Sequence, residues 1–131
     1  MEGVYCRKIV IGLELKAVNK EYIKKEYIGF HADSASIYNE NDKKFKVPLF
    51  TWNNNDVFGC GLVYPPVGVP YIFFTKNGRQ LGKAVLLKDK SASFKPYVVL
   101  NCCSIETNFG EDLENKPFIY DFSKHLVPKF Y

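Results

Sequence analysis

The step Asn77-Gly78 stands between two apolar runs, Tyr71–Lys76 and Arg79–Leu87. It constrains the fold more than any other feature of the chain. A tight type I′ turn needs φ > 0 at both central residues, and asparagine followed by glycine accepts that geometry most readily. The two runs are therefore expected to be antiparallel neighbours reversing at Asn77-Gly78. Chains organised around such hairpins hold their connecting loops on a rigid β scaffold. That points to recognition before it points to catalysis.

The rest of the chain carries the same signature. Ile9–Leu15 is a β-branched apolar run and reads as a buried strand. Tyr27–His31, Ser36–Asn39, Val57–Tyr64, Tyr97–Leu100 and Ser104–Phe109 read as further strands, and Phe118–Phe122 as a short terminal one. Glu40–Lys46 and Lys88–Ser93 read as polar turns, and Lys20–Ile23 as a loop or a single helical turn. Pro65–Pro70 holds three prolines, which lack an N–H and cannot sit in a central ladder, so it is expected to protrude. The tail Ser123–Tyr131 could open a helix capped by Ser123 and shortened by Pro128. Many short strands with little helical period make the chain all-β, a two-sheet antiparallel sandwich.

Composition narrows the partners. With 131 residues and 47% hydrophobic content the chain is expected to fold as one packed domain. Its net charge of +4 is mild, and lysines alternate with acids as in Lys20-Glu21 and Lys25-Glu26, which weighs against nucleic acid. No apolar stretch reaches the roughly 18 residues of a spanning helix, so no membrane partner is expected. Met1–Arg7 lacks the charged-then-apolar order of a signal peptide. The four cysteines, Cys6, Cys60, Cys102 and Cys103, read most simply as reduced thiols of a cytoplasmic protein, with one disulfide left open.

Candidates for chemistry are few. His31 and Asp33 would share a strand face but lack a third partner to orient them. Cys60 is the one tempting nucleophile, yet Gly59-Cys60-Gly61 lies within a strand, where a core thiol is expected. Cys102-Cys103 has no second pair at zinc-ligand spacing, and no glycine-rich phosphate loop occurs. No metal, cofactor or catalytic residue is expected. Phe73, Phe74, Phe109 and Phe118 read as core, whereas Tyr22, Phe50, Trp52 and Tyr64 lie in or beside loops, where aromatics serve as docking anchors or as lids on the core.

Taken in order, these pieces resemble a SPRY domain from about Ile9 to Asp121. The resemblance is carried by Ile11-Gly12-Leu13, Gly29-Phe30-His31-Ala32-Asp33, Asp56–Gly61, Phe73–Gly78, and Ile105–Gly110 with Pro117-Phe118. The ending Lys116–Asp121 is most similar to the Ran-binding scaffold branch, whose members serve ubiquitin-ligase assemblies as subunits or adaptors. Three departures stand out. Asn55 replaces the family's glycine before Asp-Val, Lys95–Val99 replaces its Tyr-Pro-Thr-Val-Gly segment, and Pro65–Pro70 lengthens a loop. About eight residues precede the Ile-Gly-Leu segment where the family shows one or more strands. The chain is thus expected to be a minimal domain, a fragment or a truncated product, and an absent strand would leave a sheet edge open to self-association or peptide capture.

The resemblance implies a bent two-sheet β-sandwich over residues 1–122, followed by a tail, 123–131. It also implies a non-catalytic module that docks a short segment of a protein partner in a cleft between loops, or alternatively a ligase adaptor or scaffold. By position in the family, the docking segments would be Tyr22-Ile23 and Asn101-Cys102. The expected contacts are Tyr22 and Trp52 for apolar area and Asn101 for a polar clamp.

Overall fold

The computed structural model describes residues 8–18, 23–88, 93–101 and 105–131. Among these described residues, eight strands form two antiparallel sheets. They are β1 (Lys8–Val18), β2 (Ile23–His31), β3 (Ser36–Tyr38), β4 (Lys44–Lys46), β5 (Phe58–Val63), β6 (Tyr71–Lys76), β7 (Arg79–Leu86) and β8 (Ser93–Asn101). The larger sheet runs β4-β3-β2-β1-β8 and the smaller β5-β6-β7.

Alternation along the strands explains the layering. Ile9, Leu13 and Leu15 of β1 are buried, as are Ile28 and Phe30 of β2 and Ile37 of β3. They meet Ile72 and Phe74 of β6 and Val85 of β7 in one core between the sheets. Residues two apart share a face, so each strand delivers its apolar set inward at once. The hairpin expected at Asn77-Gly78 is present: Lys76 pairs with Arg79, and Asn77 and Gly78 have φ of 51° and 83°.

A second, smaller core lies on the far side of β6. Tyr71, Phe73 and Ala84 face outward there and are covered by Val63, Tyr120 and Phe130. Gly61 makes room for this layer, because a Cβ there would sit 2.3 Å from the Phe73 ring. The chain end closes it. Ala84 N–H donates to Lys129 O at 2.9 Å, and Tyr131 N–H donates to Ala84 O at 3.1 Å. His125 lies between two phenols: Nε2 is 2.7 Å from the Tyr71 hydroxyl, and Nδ1 bonds the Tyr120 hydroxyl. Its ring stacks on Phe73 with centroids 4.6 Å apart.

Several sequence expectations fail in this C-terminal part. Residues 105–109 form no strand, and neither do residues 118–122. Phe109 and Phe118 are 59% and 41% exposed instead of core. The tail makes one 3₁₀ turn, Phe122–Lys124, capped by Asp121, whose side chain accepts from Ser123 N–H. The aromatic pattern there imitates strand alternation. Its residues serve instead as a strap whose inward side chains, Tyr120, His125 and Phe130, pack on an already complete sheet. In the opposite sense, Lys44–Lys46 is a strand inside a segment read as turn. Its lysines point away from the core, as edge strands commonly arrange.

Candidate functional site

One end of the sandwich is built around residues 48–57. Val47 N–H donates to Ala35 O at 2.8 Å, which fixes where the loop leaves β4. Phe50 then packs edge-on against Phe30 at 5.0 Å, and Trp52 lies half-buried with its ring edge-on to Phe58 at 6.1 Å. The aromatic bodies of the loop thus cap the core while their outer parts reach solvent.

The loop is braced by the hairpin turn. Asn77 Oδ1 accepts from Val57 N–H at 2.8 Å, and Asn77 Nδ2 donates to Asp56 Oδ1 at 3.0 Å. Asn77 N–H also donates to Val57 O at 2.7 Å. Asp56 Oδ2 in turn accepts from Asn53 N–H at 2.7 Å, closing the turn within the loop. The Asn77 hydrogen bond, followed by the one from Asn53, holds the Asp56 carboxyl below its ordinary pKa. Lys76 Nζ donates to Thr51 O at 2.5 Å and lies 5.3 Å from the Phe50 ring centroid. The same asparagine that makes the hairpin therefore also holds the neighbouring loop still.

Leu49 stands out on this loop. Its side chain is fully exposed, and its φ is 56°. Leucine pays a steric penalty in that left-handed region. A large apolar side chain held outward in a costly conformation is a functional pointer of the kind that backbone strain provides. Sequence reasoning missed it, since attention to this loop fell on its aromatic residues, Phe50 and Trp52. A proline ahead of two apolar residues and an asparagine-rich turn was the available signal.

The register separates the residues expected to form one cleft. Asn101 pairs with Lys8 at one end of β1, and Ile23 pairs with Val18 at the other. Ten steps of strand put these ends about 30 Å apart. Val10 pairs with His31, so the turn after β2 and residues 48–57 share the end that holds Asn101. The structure thus brings Trp52 and Asn101 to the same end and sets Ile23 at the opposite one. Tyr22 and Cys102 lie outside the described residues.

The candidates for chemistry take structural places. His31 packs against Tyr38 with centroids 4.4 Å apart and ring planes tilted by 54°, and burial lowers its pKa, with Asp33 opposing. Cys60 keeps open surface on β5, yet surrounding protein desolvates its thiol and pushes it up to about 12. A thiol needs its thiolate to attack, and reactive cysteines have lowered values. In a variant with Cys6, Cys102 and Cys103 replaced by Ser, Cys60 of the folded chain is expected to react with a thiol-selective disulfide reagent at pH 8 at least tenfold more slowly than free cysteine, and denaturant should abolish the difference. Among the described residues no group of three His, Cys, Asp or Glu side chains could hold a metal, and no helix is long and apolar enough to cross a membrane.

The sequence profile of the SPRY domain matches residues 7–112. A probable ATP-dependent RNA helicase, ddx1, from Dictyostelium discoideum is 39% identical over 70 residues, which is 53% of this chain and 8% of that protein. The chain therefore matches only a small part of that relative's length. No solved structure matches significantly.

Proposed function

Because the chain belongs to the SPRY domain family, a family of non-catalytic protein-interaction domains, we propose that it docks a short segment of a partner protein at the end of the sandwich holding residues 48–57 and Asn101. The observation that carries this is the outward Leu49 beside half-buried Phe50 and Trp52, on a loop braced by Asn77 and Asp56. Rigid aromatic area loses little entropy on binding, and a loop already held in place avoids the ordering cost. Leu49 and the exposed part of Trp52 supply apolar anchors, and Asn101 supplies a polar contact. Ile23, at the far end of β1, belongs to a different surface.

The proposal is tested by capturing a partner on the immobilised full chain and measuring its affinity for single variants. Leu49→Ala and Trp52→Ala are expected to weaken binding by at least tenfold, the size of central interface anchors, and Asn101→Ala by a few-fold. Leu49 is the cleaner probe, since an exposed side chain can be removed without disturbing the core. Unchanged affinity in the Leu49 and Trp52 variants would place docking elsewhere.

A role as a ligase adaptor rests on the resemblance of Lys116–Asp121 to the Ran-binding scaffold branch. In that reading the strap from Pro117 to Tyr131 carries the second partner. Phe122, Leu126 and Val127 on it are 65%, 82% and 78% exposed, which gives such a partner apolar surface. Co-purification with a ubiquitin ligase, lost in Leu126→Asp/Val127→Asp, is the result this role requires.

A further inference from the structure

The register sorts charge between the two faces of the larger sheet. Residues paired directly across a sheet share a face, and neighbours along a strand do not. Lys25-Glu26 shows the effect. Glu26 pairs with Leu15 and stands on the core face, whereas Lys25 pairs with Lys16 and stands on the outer one. By the same rule Lys8, Lys16, Lys25, Lys44, Lys46 and Lys95 all share the outer face. Glu14 is the one carboxylate among the described strand residues there, and Lys25 meets it at 3.6 Å. Six lysines against one carboxylate leave an excess of five positive charges on this face, where the whole chain has +4. Asp33 lies at one margin, beside His31.

Aromatic rings stand among these lysines. Tyr97, Gly12, Gly29, Tyr38 and Lys44 are direct partners in one row across all five strands. Tyr27, two residues along from Gly29, packs against Tyr97 with centroids 4.6 Å apart. Tyr38 packs against His31. Tyr27 is 43% exposed, and Tyr97, Tyr38 and His31 are half-buried. Tyr97 and Tyr38 are three strand spacings apart, about 14 Å along the backbone row. Each ring is held by its neighbour, so a flat group docking on it costs little rotamer entropy. Lysines surround the rings: Lys95 on β8, Lys44 and Lys46 on β4, Lys8 at one end of β1, and Lys16 and Lys25 toward the other.

We propose that this outer face binds single-stranded nucleic acid, with bases stacked on the tyrosines and phosphates met by the surrounding lysines. A single strand presents both groups at once, unpaired base faces and a regular line of negative charge. A duplex keeps its base faces stacked inside, and an acidic protein segment meets the lysines but leaves the rings without a partner. Stacking on rings within a basic surface is tolerant of sequence, since every base has a π-face. The face is distinct from the Trp52 end, and either surface can fail without the other. Asn101, opposite Lys8, is where the two adjoin, so Tyr27 and Lys95 are the residues that report on the sheet face alone.

The test follows fluorescent oligouridylate and oligothymidylate, each of about ten nucleotides, by anisotropy on the full chain. Saturable binding is expected, weakening by about tenfold or more as salt rises from about 50 to about 200 mM, the signature of released counterions. The tighter of the two oligomers identifies the sugar. Tyr27→Ala is expected to weaken binding about tenfold and Tyr27→Phe to restore most of it, because stacking needs the ring and not the hydroxyl. Lys44→Glu/Lys95→Glu is expected to remove binding. Lys124→Glu/Lys129→Glu makes the same change in net charge on the strap, which packs on the other sheet, and is expected to weaken binding no more than a few-fold. No saturable binding of either oligomer, equal affinity in Tyr27→Ala, or equal losses in the two double variants would each overturn the proposal. So would a ten-residue polyglutamate that binds as tightly as the oligomers, which would make the face a reader of acidic protein.

Discussion

Gly12→Ala is expected to cost about 3 kcal/mol or more, a large share of the stability of a domain this size. Gly12 sits mid-strand in β1, between Gly29 of β2 and Tyr97 of β8. A Cβ there would stand 1.9 Å from the backbone oxygen of Ile28 and 2.7 Å from the Gly29 Cα. Neither can rotate away, unlike a side chain, so relief requires β1 and β2 to part. That would break the register that brings Leu13 opposite Ile28 and Ile11 opposite Phe30 in the main core. The loss is read in the midpoint of urea or thermal unfolding. Gly29→Ala is the matched control and should cost less. Its nearest meeting is the Val10 Cγ1 at 3.1 Å, a side-chain atom, with backbone no closer than 3.2 Å.

Asn77→Ala is expected to cost about 2 kcal/mol and to release residues 53–57, in keeping with the loss of two side-chain hydrogen bonds and strain at a left-handed position. Asn77→Gly separates these causes. It keeps the backbone at φ near 51° at no steric cost and removes only the bonds to Val57 and Asp56. About half the loss should remain in that variant, and amide exchange in the loop should quicken in both. The pH dependence has a definite sign. Asp56 has a folded pKa below its unfolded one, so its contribution is present above the unfolded value near 4 and is lost as pH falls through the folded value. The stability gap between the parent chain and Asn77→Ala should therefore narrow in acid below about pH 4.

Much of the fold was legible because its signals are local. Asn77-Gly78 names its own turn, and the alternation of Ile9, Leu13 and Leu15 names a buried face. What misled was aromatic density without a sheet to receive it. Phe109, Phe118 and Phe122 carry the composition of strands, but β1 and β8 already pair with each other, and residues 105–131 add no strand to the two sheets, joining them only by the bridge of Phe130 to Ala84. Whether a phenylalanine is core or strap depends on what else has filled the sheet, which lies far away in sequence. The site was legible in part for the same reason. Trp52 announced itself as a loop aromatic, but the separation of Ile23 from Asn101 follows from register, and register is a property of pairs. Leu49 was hidden because its backbone conformation, not its residue type, turns it outward.

The most direct test of the docking surface is to map a captured partner onto the labelled chain by amide shifts. The account predicts that shifts gather at residues 48–57, 76–78 and 101, and leave residues 23–25 unmoved. Shifts gathered at residues 23–25, with the Trp52 loop silent, would contradict it.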